Sequence, residues 1–184
     1  MAQKARVIRV QLQLADMDRQ HYQDYSLTLA QHPSETDERL MVRLMAFALN
    51  ASETLEFARD LSDEDGAELW SRNLQGEVEL WICFGQPDEK WLRKACQKSK
   101  QVKLYAYGAR SLPIWWQQIA SSLQRFDNLE VWELPEESVS ALGQLLSRGL
   151  QLQVNIHEGQ IWVSTQASSV CVEPIALMRS KGQR

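Results

Sequence analysis

Two glutamates, Glu68 and Glu79, sit on short stretches that read as neighbouring strands, and a lysine-rich helix follows them. Metal-assisted phosphodiester cleavage uses such a set. Two carboxylates hold Mg2+ or Mn2+ with water positions left open. A cation stabilises the attacking water or the charge developing on phosphorus, and a further acid supports the metal's water shell. Glu68 and Glu79 are the candidate metal ligands. Lys94, roughly two turns into the helix, is the candidate cation. Glu35 is the candidate supporting acid, and Gln86, where the lysine helix begins, could orient water or phosphate. Lys90, Arg93 and Lys98, with Lys100 and Lys103, make the dense basic cluster of the chain, suited to a nucleic-acid backbone. Arg39 and Arg43 follow Glu35 at i+4 and i+8, so a carboxylate and two guanidinium groups share one helix face and extend that nucleic-acid-binding set. The same row also reads as a solvated line of ion pairs, and the lysines as a solvated helix face.

Other chemistry is not signalled. His21, His32 and His157 lack metal-ligand spacing with each other or with cysteine. No Gly-x-Ser-x-Gly, Walker loop or Gly-x-Gly-x-x-Gly is present. The acidic turn at 62–66 lacks the ligand pattern of an EF-hand. Cys83, Cys96 and Cys171 are odd in number and far apart, which fits buried thiols in a reducing cytoplasm.

The elements that must position these residues follow from periodicity. Residues 78–84 alternate, with Val78, Leu80, Ile82 and Phe84 on one face and Glu79, Trp81 and Cys83 on the other. Gly85 ends this strand, and Pro87 and Asp88 open a helix over 88–100 with Leu92, Ala95, Cys96 and Ser99 inward. Before it, strands are expected at 6–14 and 25–29, separated by a polar loop at 15–24, and at 54–58 and 67–72. A helix begins near Ser34, its candidate N-cap, and is largely buried. After it come a strand at 102–107, a helix at 113–125, a strand at 129–134 and a helix from Pro135. A hairpin at 150–156 and 160–164 turns at Glu158-Gly159, and a last strand is expected at 170–173. The tail from 179 is expected to fray.

The 184 residues, 44% hydrophobic and 24% charged, suit one α+β domain over 1–184 with one dominant sheet. A net charge of −4 excludes a globally basic nucleic-acid binder, so any such binding rests on a local patch. No apolar run approaches the ~20 residues of a membrane span. The start leads into an alternating strand and not an apolar segment, so no secretory signal is expected.

Five separated segments carry a resemblance. They are His32-Pro-Ser-Glu-Thr with Glu38-Arg39, Glu68-Leu-Trp, Glu79-Leu-Trp-Ile-x-x-Gly-Gln-Pro-Asp-Glu, Arg93-Lys-Ala-Cys and Ile114-Trp-Trp-Gln-Gln. In this order they resemble the YaeQ family of bacterial proteins across essentially the whole chain. The resemblance implies a fold similar to the PD-(D/E)xK nuclease superfamily, an αβββαβ core with an added N-terminal hairpin and C-terminal strands. It implies a first acid at Glu68, with Ala67 where proline is common, and a second at Glu79. The lysine two residues on falls at Trp81, so Lys94 is expected to substitute, and Cys83 stands where relatives often carry a second carboxylate. The expected function is Mg2+- or Mn2+-dependent cleavage of nucleic acid. The alternative is a degenerate nuclease-fold module that binds nucleic acid or protein.

Overall fold

The computed structural model describes residues 4–58 and 66–182. The expected acidic turn falls almost wholly outside them. In chain order the elements are β1 (Arg6–Asp16), β2 (His21–Gln31), α1 (Asp37–Asn50), β3 (Leu55–Phe57), β4 (Leu69–Arg72) and β5 (Val78–Phe84). Next come α2 (Glu89–Lys98), β6 (Ser99–Ala106), α3 (Leu112–Leu123), β7 (Leu129–Glu133) and α4 (Glu136–Gln144). The last are β8 (Gly149–His157), β9 (Gln160–Ser164), β10 (Ser169–Val172) and β11 (Ile175–Met178). This is a mixed α+β fold. Among the described residues it has four helices and two mixed sheets, ordered β10-β9-β8-β1-β2 and β11-β7-β6-β5-β4-β3. The chain divides into two compact units, residues 1–49 with 137–174 and residues 50–136 with 175–184.

In the first unit the expected alternation of β1 holds, with Ile8, Val10, Leu12 and Leu14 buried. Leu150, Leu152, Val154 and Ile156 of β8 do the same, and β1 pairs with β8 in parallel, Leu12 beside Leu152. Met41, Leu44 and Met45 of α1 and Leu142 of α4 meet this apolar face around a residual cavity of only about 10 Å3. The one dominant sheet expected from sequence is replaced by two, because the N-terminal hairpin and the β8–β9 hairpin join through that β1–β8 pairing. Alternation shows that each strand has an apolar face and does not name its partner.

Local chemistry moves several boundaries. The loop expected at 15–24 shrinks to 17–20, since buried Asp16 accepts from Arg19 N (3.0 Å) and Arg19 Nε (2.7 Å) and closes a tight turn. Tyr22 and Gln23 are exposed there, so the strand carries no apolar signal. α1 is capped by Thr36, whose Oγ1 accepts from Arg39 N at 3.2 Å. Ser34, expected as the cap, spends its hydroxyl on His32 Nδ1 at 2.6 Å.

The second unit is a meander followed by crossovers. β3, β4 and β5 pair antiparallel, whereas β5, β6 and β7 run parallel, joined by α2 and α3. Trp81 and Cys83 of β5, with Val102, Leu104 and Ala106 of β6, share one core with Leu92 and Ala95 of α2 and Ile119 and Leu123 of α3. Asp88 caps α2, its Oδ1 accepting from Trp91 N at 2.7 Å. The helix stops at Lys98 because Ser99, whose hydroxyl donates to Ala95 O at 2.7 Å, already belongs to β6. β11 was not expected and adds to the edge at β7. The tail does not fray at its start. Ser180 is buried, Lys181 N donates to Asp127 O at 3.0 Å and Lys181 Nζ to Gln124 O at 2.7 Å. No described helix is long and apolar enough to cross a membrane.

The β8–β9 turn has a pH-sensitive clamp. Asp18 accepts from Glu158 N at 2.7 Å and Gly159 N at 3.0 Å, and these bonds hold its carboxyl below the ordinary aspartate range. A lowered folded-state pKa stabilises above the unfolded value, and the contribution is lost as pH falls through the folded one. Asp18→Asn is therefore expected to be less stable than wild type at neutral pH. The gap should close in urea melts taken progressively below the ordinary aspartate pKa.

Candidate functional site

Glu68 immediately precedes β4. Its backbone N donates to Ile82 O at 3.0 Å, and Leu69 sits beside Ile82. Glu68 and Leu69 thus both face Ile82, as in a bulge, and Glu68 lies close to Cys83 of β5. Cys83 is buried, and its thiol is pushed well above its usual pKa by burial first, then by Cys96 and Glu68 nearby. The Cys96 thiol is pushed up to about 12, also by burial. Both thiols are therefore neutral at physiological pH.

Glu79 lies four residues back along β5 from Cys83, about 13 Å at strand rise. Trp81, on the same face, stands between and is 3% exposed; its Nε1 finds no acceptor among the described residues. Glu79 is also the extra residue of a bulge, since Ser71 pairs with Leu80 and Arg72 with Val78. Its carboxylate accepts from Lys100 Nζ at 2.8 Å and Asn73 Nδ2 at 3.1 Å. The Lys100 bond holds the Glu79 pKa below the usual range and raises that of Lys100. Two carboxylates on one Mg2+ each approach to about 2.1 Å. Glu68 and Glu79, so arranged, do not fit a shared ion. Among the described residues no cluster of three His, Cys, Asp or Glu side chains is placed to hold one.

The remaining candidates separate. Lys90, Lys94 and Lys98 are exposed at i, i+4 and i+8 on α2, a row about 12 Å long; Arg93 is half-buried. Lys100 is paired with Glu79, as above. Lys103 points to the opposite face of the sheet. Gln86 is tied into the fold: its Nε2 donates to Tyr107 O (3.0 Å) and Ser111 Oγ (2.9 Å). Gly108, with φ +117°, leaves the space this amide fills, since a Cβ there would come within 2.8 Å of it.

In the first unit Glu35 precedes α1 and is not part of the helix. It is buried, and its two oxygens accept from Arg39 Nη1 and Arg43 Nη2, both at 2.7 Å. Arg43 is buried as well, and its Nη2 also donates to Ala30 O at 3.1 Å. The row expected to be solvated is therefore an internal ion-pair cluster, with Arg39 alone reaching the surface.

A protein-family profile described as YaeQ protein matches residues 1–174. The chain belongs to the YaeQ family. The "Uncharacterized protein YaeQ" of Salmonella typhi is 42% identical over 173 residues, 94% of this chain and 96% of its own length. That of Escherichia coli K12 is 42% identical over 170 residues, 92% of this chain and 94% of its own length. The crystal structure of the YaeQ protein from Xanthomonas axonopodis pv. citri is similar at TM-score 0.91 and 46% identity, covering 95% of this chain and 98% of that one. The YaeQ structure from Pseudomonas syringae also reaches 0.91, at 32% identity, covering 97% and 98%.

This YaeQ-family chain also holds a polar cluster that motif spacing does not reveal. Lys103 Nζ donates to Asn50 Oδ1 at 3.0 Å and lies 4.0 Å from Glu130 Oε2. Asn50 Nδ2 donates to Tyr105 Oη at 2.8 Å. Glu130, 3% exposed, accepts from Gln101 Nε2 (3.2 Å), Trp132 Nε1 (3.2 Å) and Ser180 Oγ (3.4 Å). The parallel register sets Lys103 directly beside Glu130. The one sequence signal is alternation, because Lys103 and Tyr105 must face away from Val102 and Leu104.

The Glu35 cluster gives a direct test. Glu35→Ala leaves the buried Arg43 charge without its carboxylate, and breaking such a pair costs about 3–5 kcal/mol. Arg39→Ala, at the surface, should cost under about 1 kcal/mol. Urea denaturation of both variants checks the ordering, and equal small losses would return Glu35 to a site role.

Proposed function

We propose that this protein is a binding module on a PD-(D/E)xK nuclease-like core whose metal position is degenerate, and that the lysine row of α2 engages a nucleic-acid backbone. The observation that carries the reading is Cys83, a buried neutral thiol, close to Glu68. Glu79, the other acid of the implied pair, is held by Lys100 and Asn73 beyond Trp81. The chain order α1-β3-β4-β5-α2-β6, with an antiparallel meander and then a parallel crossover, supports the nuclease-like core. Lys90, Lys94 and Lys98 support the ligand class: a regular line of exposed ammonium groups on one helix matches a phosphate backbone and gives no base-specific contact. With a net charge of −4, binding would be local to this helix and sensitive to salt.

Metal-dependent cleavage is the second reading. Glu68, at the head of the second meander strand and beside the third, favours it. Mg2+ or Mn2+ would there polarise phosphate and activate water. Such a site needs further ligands beside Glu68, and among the described residues no cluster of three His, Cys, Asp or Glu side chains is placed to hold an ion.

Fluorescence anisotropy with labelled single-stranded and duplex oligonucleotides, between about 50 and 200 mM salt, separates these readings. Wild type should bind, and its affinity should fall with salt. The combined Lys90→Ala, Lys94→Ala, Lys98→Ala variant should bind more weakly, with a log–log salt slope smaller by about 2–3, one phosphate contact per lysine. Neither should cut the oligonucleotide when Mg2+ or Mn2+ is added. Salt-independent binding, or none, would contradict the backbone role. Metal-dependent cutting abolished by Glu68→Ala would establish hydrolysis instead.

A further inference from the structure

The outer face of the first unit's sheet carries a patch rich in uncharged amides. Register puts Ser164, Gln153, Gln13 and Asp24 in one row across β9, β8, β1 and β2. Gln151, Gln11 and Ser26 form the next row. On the other side of the first lies a row of Trp162, Asn155, Ala15 and Tyr22. Trp162 and Tyr22 are 44% and 62% exposed. They stand three strand spacings apart, about 14 Å. Over the amide rows the surface dips into a cavity of about 230 Å3, lined by Gln11, Gln13, Gln151, Gln153, Ser164 and Gln166.

We infer that this face binds a neutral saccharide, with one ring in the amide cavity and a neighbouring ring on Trp162. The chemistry of the lining sets the class. A glutamine amide offers two donors and an acceptor without charge, which matches adjacent hydroxyl groups. Gln153 Nε2 donates to Gln13 Oε1 at 3.0 Å, which fixes both side chains and leaves the Gln13 NH2 and the Gln153 carbonyl oxygen for a ligand. Ser26 Oγ donates to Gln11 Oε1 at 2.8 Å and orients that amide in the same way. An anionic polymer is disfavoured, because the charged strand residues of this face are Arg9 and Asp24, of opposite sign, with His157 at a corner. The cavity is smaller than the ~300–1,000 Å3 of drug-sized sites, which suits a single ring of a chain lying over open sheet. Trp162, two residues from Ser164 on the same face, offers the flat apolar surface on which the C–H side of a sugar ring packs.

The test is an NMR titration of isotope-labelled protein with cellohexaose, maltohexaose and chitohexaose in turn, each at millimolar concentration. An oligonucleotide serves as the anionic control. At least one hexaose should shift the side-chain amide signals of Gln13, Gln151 and Gln153 saturably, with an affinity unchanged by added salt. Trp162→Ala and, separately, Gln153→Ala should each weaken that binding at least tenfold while the rest of the spectrum stays folded. The inference is overturned if no hexaose shifts these amides, if both variants bind as wild type does, or if only the oligonucleotide shifts them.

Discussion

The hydrogen bond from Glu68 N to Ile82 O, with Leu69 beside Ile82, sets the register of β4 on β5. Much of the second unit's chemistry depends on it. A one-residue slip would move every side chain of β4 to the other face. In the observed register Glu68 lies just before β4 and close to Cys83, Trp81 is the next residue on the Cys83 face of β5, and Glu79 falls at the bulge. β5 is central to its sheet and buried on both faces at Trp81, Ile82 and Cys83. The two glutamates are thereby held apart by packing that neither can alter.

Two buried carboxylates of this protein are satisfied by internal partners. Glu35 is shared by two arginines and Glu130 by three donors with Lys103 close by, whereas Glu79 takes Lys100 at the surface. A buried ion pair adds little net stability over an apolar substitute, and removing one member is costly. These clusters therefore constrain which partner each strand or helix accepts. Lys90, Lys94 and Lys98 of α2 form a regular exposed row, and they carry the proposed binding role.

Much of the second unit was legible in the sequence. The alternation of β5 and β6, the apolar stripe of α2 and the stop at Gly85 are local properties of the chain, and they recover the order from α1 to β6. The first unit was less so. The β1–β8 pairing joins residues far apart in the chain, and periodicity is silent on such pairings. The Thr36 cap was missed because Ser34 and Thr36 are equivalent as residue types, and only the contact of Ser34 with His32 separates them. At the candidate site, sequence placed Glu68 and Glu79 on adjacent strands; Glu79 lies on β5, whereas Glu68 falls just before β4. It could not give their stagger, because that depends on a bulge. Lys103 was grouped with the α2 lysines by proximity in the chain, although strand alternation turns it to the opposite face.

With Glu79 held by Lys100 and Asn73, Glu68 and Glu79 do not share a metal ion. Electron paramagnetic resonance of Mn2+ titrated into wild type, Glu68→Ala and Glu79→Ala tests it most directly. No stoichiometric Mn2+ site should depend on both glutamates, so the three titrations should coincide. One tightly bound Mn2+ per chain in wild type, lost in each variant while both stay folded, would contradict it and place the two carboxylates on one ion.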